Sequence, residues 1–137
     1  MSVTGGTIVV GFVPTAEGNS AIARAGEEAK LRGAALVVVR SYKSPAEMED
    51  ALPLDLQLAW QAAQESLATT GVEYTVKDMA RGSDPSDDVL TAAEEVDATL
   101  IVIGLRKRSP VGKLIMGSNA QQILLGASCP VLSVKAE

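Results

Sequence analysis

Three runs in this chain are almost continuously apolar, and they limit its fold more than any other feature. Residues 7–13 (TIVVGFV), 35–39 (ALVVV) and 99–103 (TLIVI) are rich in β-branched side chains and lack the polar alternation of a strand with one wet face. Strands of this kind are covered on both sides, as in parallel sheets, and parallel neighbours need crossovers long enough to hold a helix. The segments between the runs supply those crossovers. Residues 17–32 carry Ala21, Ile22, Ala25 and Ala29 at helical spacing and stop at Gly33, while residues 54–70 align Leu56, Ala59, Ala63 and Leu67 and stop at Gly71. Residues 85–96 form a third expected helix, with Asp84 as cap and Pro85 at its first position, and residues 118–127 a fourth.

Two weaker strands complete the pattern. Residues 72–79 (VEYTVKDM) alternate apolar and polar, which places them half-exposed at or near an edge, and residues 131–134 form a short last strand. Five strands alternating with four helices predict a doubly wound α/β fold around a parallel sheet, one domain over residues 1–137. The pattern alone leaves the strand order open. In either common open order the winding reverses once, and the crevice at the carboxyl ends of the two strands flanking that reversal is where such sheets take ligands.

Composition removes several classes of function. The chain is 47% hydrophobic but only 3% aromatic and carries a net charge of -5, so neither base stacking nor general attraction to a nucleic-acid backbone is expected. It has no histidine, which excludes His-based acid–base chemistry and Ser–His or Cys–His nucleophiles. Cys129, the single cysteine, cannot form an intramolecular disulfide and reads as a buried spectator thiol ahead of Pro130. No apolar stretch is long enough to span a membrane, and residues 1–6 (MSVTGG) have no signal-peptide character, so a cytoplasmic protein is expected. Residues 42–53 are a polar, acidic connection longer than a simple loop. Trp60 reads as packing, and the adjacent Asp87 and Asp88 as first-turn charges favoured by the helix dipole, not as a metal pair.

The stretch 104–119 (GLRKRSPVGKLIMGSN) carries the functional signal. It leaves a buried strand at Gly104 and enters a helix at Gly117, Ser118 and Asn119, with Ser118 as the expected cap and Gln121 three residues on. The first N–H groups of such a helix lack intrahelical partners at the positive end of its dipole, and glycine lets a ligand approach the backbone. Arg106, Lys107, Arg108 and Lys113 put four of the chain's 12 basic residues within eight positions. An anion, phosphate above all, is the expected occupant.

This stretch resembles the signature of the universal stress protein family, G-x-x-G, nine residues, then G-[S/T]-N, with Gly104, Gly117, Ser118 and Asn119 in place. The similarity extends from TIVVGF through ALVVVRSY and RGSDPSDDVL to CPVLSVK. It implies a strand order of 3-2-1-4-5, a homodimer paired through the C-terminal strand, and in one branch of the family ATP bound across strands 1 and 4, with or without Mg. On this basis the cofactor-binding residues are Val13, Pro14, Thr15, Arg40, Gly104, Arg106, Lys107, Gly117, Ser118 and Asn119, with no catalytic or metal-ligating residue and at most slow ATP hydrolysis. Two positions depart from the pattern. Lys107 stands where the family has its second glycine, and Val13 stands where ATP-binding members carry an Asp that recognises adenosine. Valine accepts no hydrogen bond, so base and sugar recognition is expected from backbone groups around Val13 and the end of strand 2 near Arg40. The function expected is a homodimeric, nucleotide-binding stress regulator; the alternative is a homodimeric interaction protein of the same fold that holds no ATP.

Overall fold

A computed structural model describes residues 5–49, 52–106 and 116–136. The five strands are β1 (Thr7–Gly11), β2 (Ala35–Ser41), β3 (Tyr74–Met79), β4 (Leu100–Leu105) and β5 (Val131–Lys135), and they form one sheet in the order β3-β2-β1-β4-β5. Every neighbouring pair is parallel, with Val9 opposite Val37 on one side and Ile101 on the other. The order expected from the resemblance is the one observed.

β1 lies at the centre because its side chains tolerate no water on either face. Ile8, Val9 and Val10 are all fully buried. Ile8 and Val10 point into a core layer shared with α1 (Ala16–Arg32) and α3 (Leu54–Thr70); Val9 points into a second layer with α4 (Pro85–Glu95) and α5 (Ser118–Gly126). At roughly 1.5–3 kcal/mol per fully buried aliphatic side chain, this central strand accounts for a large share of the apolar driving force.

Helix boundaries follow local chemistry. α1 starts where the Thr15 hydroxyl accepts from the Gly18 N–H at 3.1 Å and ends at Gly33 in the left-handed region, φ 62°. α3 closes on Gly71 in the same way, φ 72°. Within the connection 42–53 a short helix, α2 (Pro45–Glu49), forms without a buried face, so no apolar periodicity announces it.

Four local expectations need correction. β1 ends at Gly11, two residues before the expected end, because the Phe12 N–H makes the last contact with β2, to the Val39 carbonyl at 2.8 Å, and the chain then turns. Gly104 is a residue of β4, paired with Val134, not the start of the following loop. Gly117 caps α5 and Ser118 is already helical, with no side-chain cap bond, so the expected capping box is not formed. Asp84 and Pro85 stand at the start of α4 as expected, but the Asp84 side chain makes no cap hydrogen bond either.

Candidate functional site

The chain runs outward from β1 through β2 to β3, then returns past β1 to build β4 and β5. The winding therefore reverses between β1 and β4, and a cleft of about 430 Å³ opens at their carboxyl ends. Gly11, Val102, Ile103 and Gly104 form its floor. Phe12 to Thr15 and the first turns of α1 form one wall, and the starts of α4 and α5 form the other. Three helix N-termini thus converge on one cavity, and their dipoles add a positive potential without a single side-chain charge.

Of the residues expected in a site, Val13, Pro14, Thr15, Gly104, Arg106, Gly117, Ser118 and Asn119 all line this cleft. Their individual roles differ. Gly104 is required by packing: a Cβ there would stand 2.2 Å from the Glu17 carbonyl oxygen, so its missing side chain lets α1 start against β4. Gly117 has the opposite surroundings: among the described residues nothing comes within 4 Å of an added Cβ, and it lines the cleft at the first turn of α5. Thr15 spends its hydroxyl on capping α1. The Asn119 side-chain oxygen accepts from the Ser86 N–H at 3.4 Å and ties the start of α5 to that of α4. Ser86 is fully buried and its hydroxyl bonds Gln122, which completes the tie.

Arg106 is the cleft's basic group among the described residues. Its side chain is 70% exposed and its Nε lies 3.8 Å from the Glu17 carboxylate. An exposed pair at that distance contributes little, so the guanidinium is free to turn toward an anion. Lys107, with Arg108 and Lys113, lies outside the described residues.

Arg40 is not on the cleft. Along β2 the side chains alternate: Val39 and Ser41 face the cleft, and Arg40 faces the opposite layer. There it makes a fork-to-fork pair with Asp78, at 2.6 and 2.8 Å, with its guanidinium 4.5 Å from the Trp60 ring centre and 5.9 Å from that of Tyr42. The hydrogen bond to Asp78 holds the guanidinium pKa above its ordinary value. Trp60 meets Phe12 edge-on at 5.1 Å, so its role is packing, as the sequence suggests.

The sequence reading missed a polar cluster behind the cleft. Asp88 is fully buried; it accepts from the Ser41 hydroxyl and from Arg81 Nε and Nη2 at 3.2 and 3.0 Å. Asp87 and Asp88 both lie in the first turn of α4 as expected, but Asp88 turns inward while Asp87 stays outside, so dipole stabilisation is only part of the role of Asp88. Cys129 is half-buried against the α4/α5 layer, and burial raises its thiol pKa. Among the described residues no three His, Cys, Asp or Glu side chains come together to hold a metal, and no helix is long and apolar enough to cross a membrane.

A doubly wound α/β chain with a polar-mouthed cleft at its switch point belongs, by architecture, among proteins that receive small ligands at the ends of parallel strands. The chain is a member of the universal stress protein family, whose model matches residues 6–135. It is 36% identical over 128 residues to a universal stress protein of Mycolicibacterium smegmatis, covering 93% of this chain and 96% of that one. A universal stress protein from Archaeoglobus fulgidus superposes with a TM-score of 0.77 at 37% identity, over 95% of this chain and 98% of the other. A second A. fulgidus structure, in complex with dAMP, matches with a TM-score of 0.75 at 30% identity over the same shares.

Proposed function

We propose that this protein is a stress-response regulatory module that binds a nucleotide, ATP foremost, in the β1/β4 cleft, and that residues 1–137 act as one such unit within a cytoplasmic homodimer. The observation that carries the reading is the convergence of three helix starts and Arg106 on a cavity large enough for a nucleotide. Phosphates would lie over the open first turn of α5 beside Gly117, Ser118 and Asn119, where unpaired N–H groups and the dipole favour negative charge. The A. fulgidus relative in complex with dAMP adds independent support, since nearly the whole chain superposes on it.

The signal is occupancy, not turnover: a bound nucleotide would bridge the β1 turn, α1 and α5, and through β4 it touches β5, the strand proposed to pair across the dimer. A second reading, an interaction protein without ATP, is favoured by Val13, which is 43% exposed at the nucleoside end and offers no acceptor. Mass spectrometry of gently purified protein separates the two. A co-purifying adenylate is expected; no nucleotide in the preparation, together with no heat on titration with ATP, ADP or AMP at millimolar concentration, would replace the first reading by the second.

A further inference from the structure

The loss of an acceptor at Val13 raises the question of what else in the cleft can hold the nucleoside. We propose that Ser41, oriented by the buried Asp88, is a specificity-determining residue that presents only an acceptor to the cleft and so selects a nucleotide carrying a hydrogen-bond donor on its base or sugar. This inference rests on the nucleotide reading above and deepens it.

The polarity of the hydroxyl follows from its neighbours. A serine hydroxyl has one proton and two lone pairs, so it can either donate or accept toward a ligand unless its proton is already committed. Here the proton is committed. Asp88 is fully buried and stands as the carboxylate of an ion pair with Arg81, whose Nε and Nη2 occupy Oδ1 at 3.2 and 3.0 Å. A carboxylate can only accept, and its other oxygen, Oδ2, is met by the Ser41 hydroxyl. Arg81 is itself held by Thr91 at 3.1 Å, so the charge that fixes Asp88 does not drift. Ser41 Oγ can therefore offer the cleft only its lone pairs.

Its position suits the nucleoside. Ser41 lines the cleft at the end of β2, while Gly117, Ser118 and Asn119 line it beyond β4. With β1 between β2 and β4, two strand spacings separate the two ends, roughly 10 Å. That is the scale of the distance from a nucleotide's phosphates to its base. Phe12, Val13 and Val39, which line the cleft with Ser41, are apolar and offer a ligand no side-chain hydrogen bond, so Ser41 Oγ stands out as a side-chain acceptor at this end. The donor that Ser41 selects is either the exocyclic amine of adenine or a sugar hydroxyl, and both present the same chemistry to an acceptor.

Calorimetric titration of the full chain with ATP, ITP, 2′-deoxy-ATP and 3′-deoxy-ATP tests this. Wild type is expected to bind the analogue that lacks the selected donor about three- to tenfold more weakly than ATP, the worth of one neutral hydrogen bond. ITP identifies the amine, and the deoxy analogues identify the hydroxyl. Ser41→Ala should lower ATP affinity to that of the analogue and erase the difference, while Ser41→Thr should restore it. Asp88→Asn adds a readout that a merely structural role would not move: its amide donates to Ser41, frees the serine proton for the cleft and shifts preference toward a ligand carrying an acceptor. Should Ser41→Ala fold poorly, Ser41→Thr and Asp88→Asn still decide. Equal weakening of all four ligands in Ser41→Ala, or unchanged discrimination in Ser41→Ala and Asp88→Asn, overturns the assignment while leaving nucleotide binding intact. No binding of any nucleotide by wild type overturns the proposed function and this inference with it.

Discussion

The two signature glycines should fail in opposite ways when given side chains. In Gly104→Ala the new Cβ would sit 2.2 Å from the Glu17 carbonyl oxygen and 2.6 Å from its carbon, where ordinary contact begins near 3.4 Å. The obstacle is backbone in the first turn of α1, so no rotamer change relieves it, and the helix start must retreat by roughly 1 Å. Overpacking of this kind costs about 1–3 kcal/mol. With an unfolding entropy of about 0.29 kcal/mol/K for 137 residues, the melting temperature should fall by about 3–10 °C. In Gly117→Val the new Cβ meets no atom of the described residues within 4 Å, and the extended backbone, φ −68° and ψ 162°, is one that valine adopts readily. A slightly poorer N-cap is offset by the lower entropy of the unfolded chain, so its melting temperature should stay within about 3 °C of wild type. Its branched side chain would nonetheless stand in the proposed phosphate path and abolish binding. Differential scanning calorimetry of both variants, with ATP titrations of each, is the assay. Wild-type melting of Gly104→Ala, or a loss of stability in Gly117→Val as large as in Gly104→Ala, would refute the division of labour.

Phosphate-led affinity predicts that ATP binds far better than adenosine and that raising salt weakens it, since charge-assisted bonds to Arg106 and the α5 start are screened; salt-insensitive titrations would count against it. β5 is a sheet edge with Val131, Leu132 and Val134 along it, and pairing with a second copy would cover that edge. Light scattering at micromolar protein should give a dimer mass for wild type and monomer or aggregate for Leu132→Pro, which removes a ladder N–H; a monomeric wild type refutes the pairing. Arg40→Ala breaks a fork-to-fork pair with Asp78, whose side chains are 20% and 32% exposed, and should destabilise by about 1 kcal/mol after screening while leaving ATP affinity unchanged, as titration and melting will show. Burial raises the pKa of both Cys129 and Tyr42, so the folded state holds these protons more tightly than the unfolded chain. The associated stability is present at neutral pH and is lost as pH climbs through their raised values. Cys129→Ala should flatten part of that alkaline decline in melting temperature, and native Cys129 should react slowly with thiol reagents at neutral pH; rapid labelling would overturn the spectator role.

Where one physical cause dominated a segment, the sequence was a sufficient guide. Residues 54–70 were bounded by Pro53 and Gly71 and had a single apolar stripe, and α3 occupies those residues. The parallel, doubly wound architecture was legible because the runs that became β1, β2 and β4 had no polar face to give to solvent. The strand order was legible only through family resemblance, since any neighbour of equal apolarity could have lain beside β1. The cleft was legible in outline, as eight of the expected residues line it. What the sequence could not convey was which contact each residue spends its chemistry on. Gly104 and Gly117 are the same residue in the same motif, yet one is demanded by the backbone of α1 and the other has no neighbour among the described residues within 4 Å of an added Cβ.

Arg40 and Ser41 show the limit most directly. Strand alternation alone requires that they face opposite layers, so a reading that placed the nucleoside at the end of β2 had to choose one of them. The choice depends on which layer holds the cleft, and that is decided far away in sequence, by α4 and α5 lying on the face that Val39 and Ser41 share. The positive charge of Arg40 favours it for a phosphate ligand, but its charge is already answered by Asp78 on the neighbouring strand. Ser41 is the less conspicuous residue, and its significance comes only from Asp88, a carboxylate 47 positions away that no local pattern connects to it. A buried carboxylate with every oxygen engaged constrains the group it accepts from as firmly as it is itself constrained, and here that group lines the cleft.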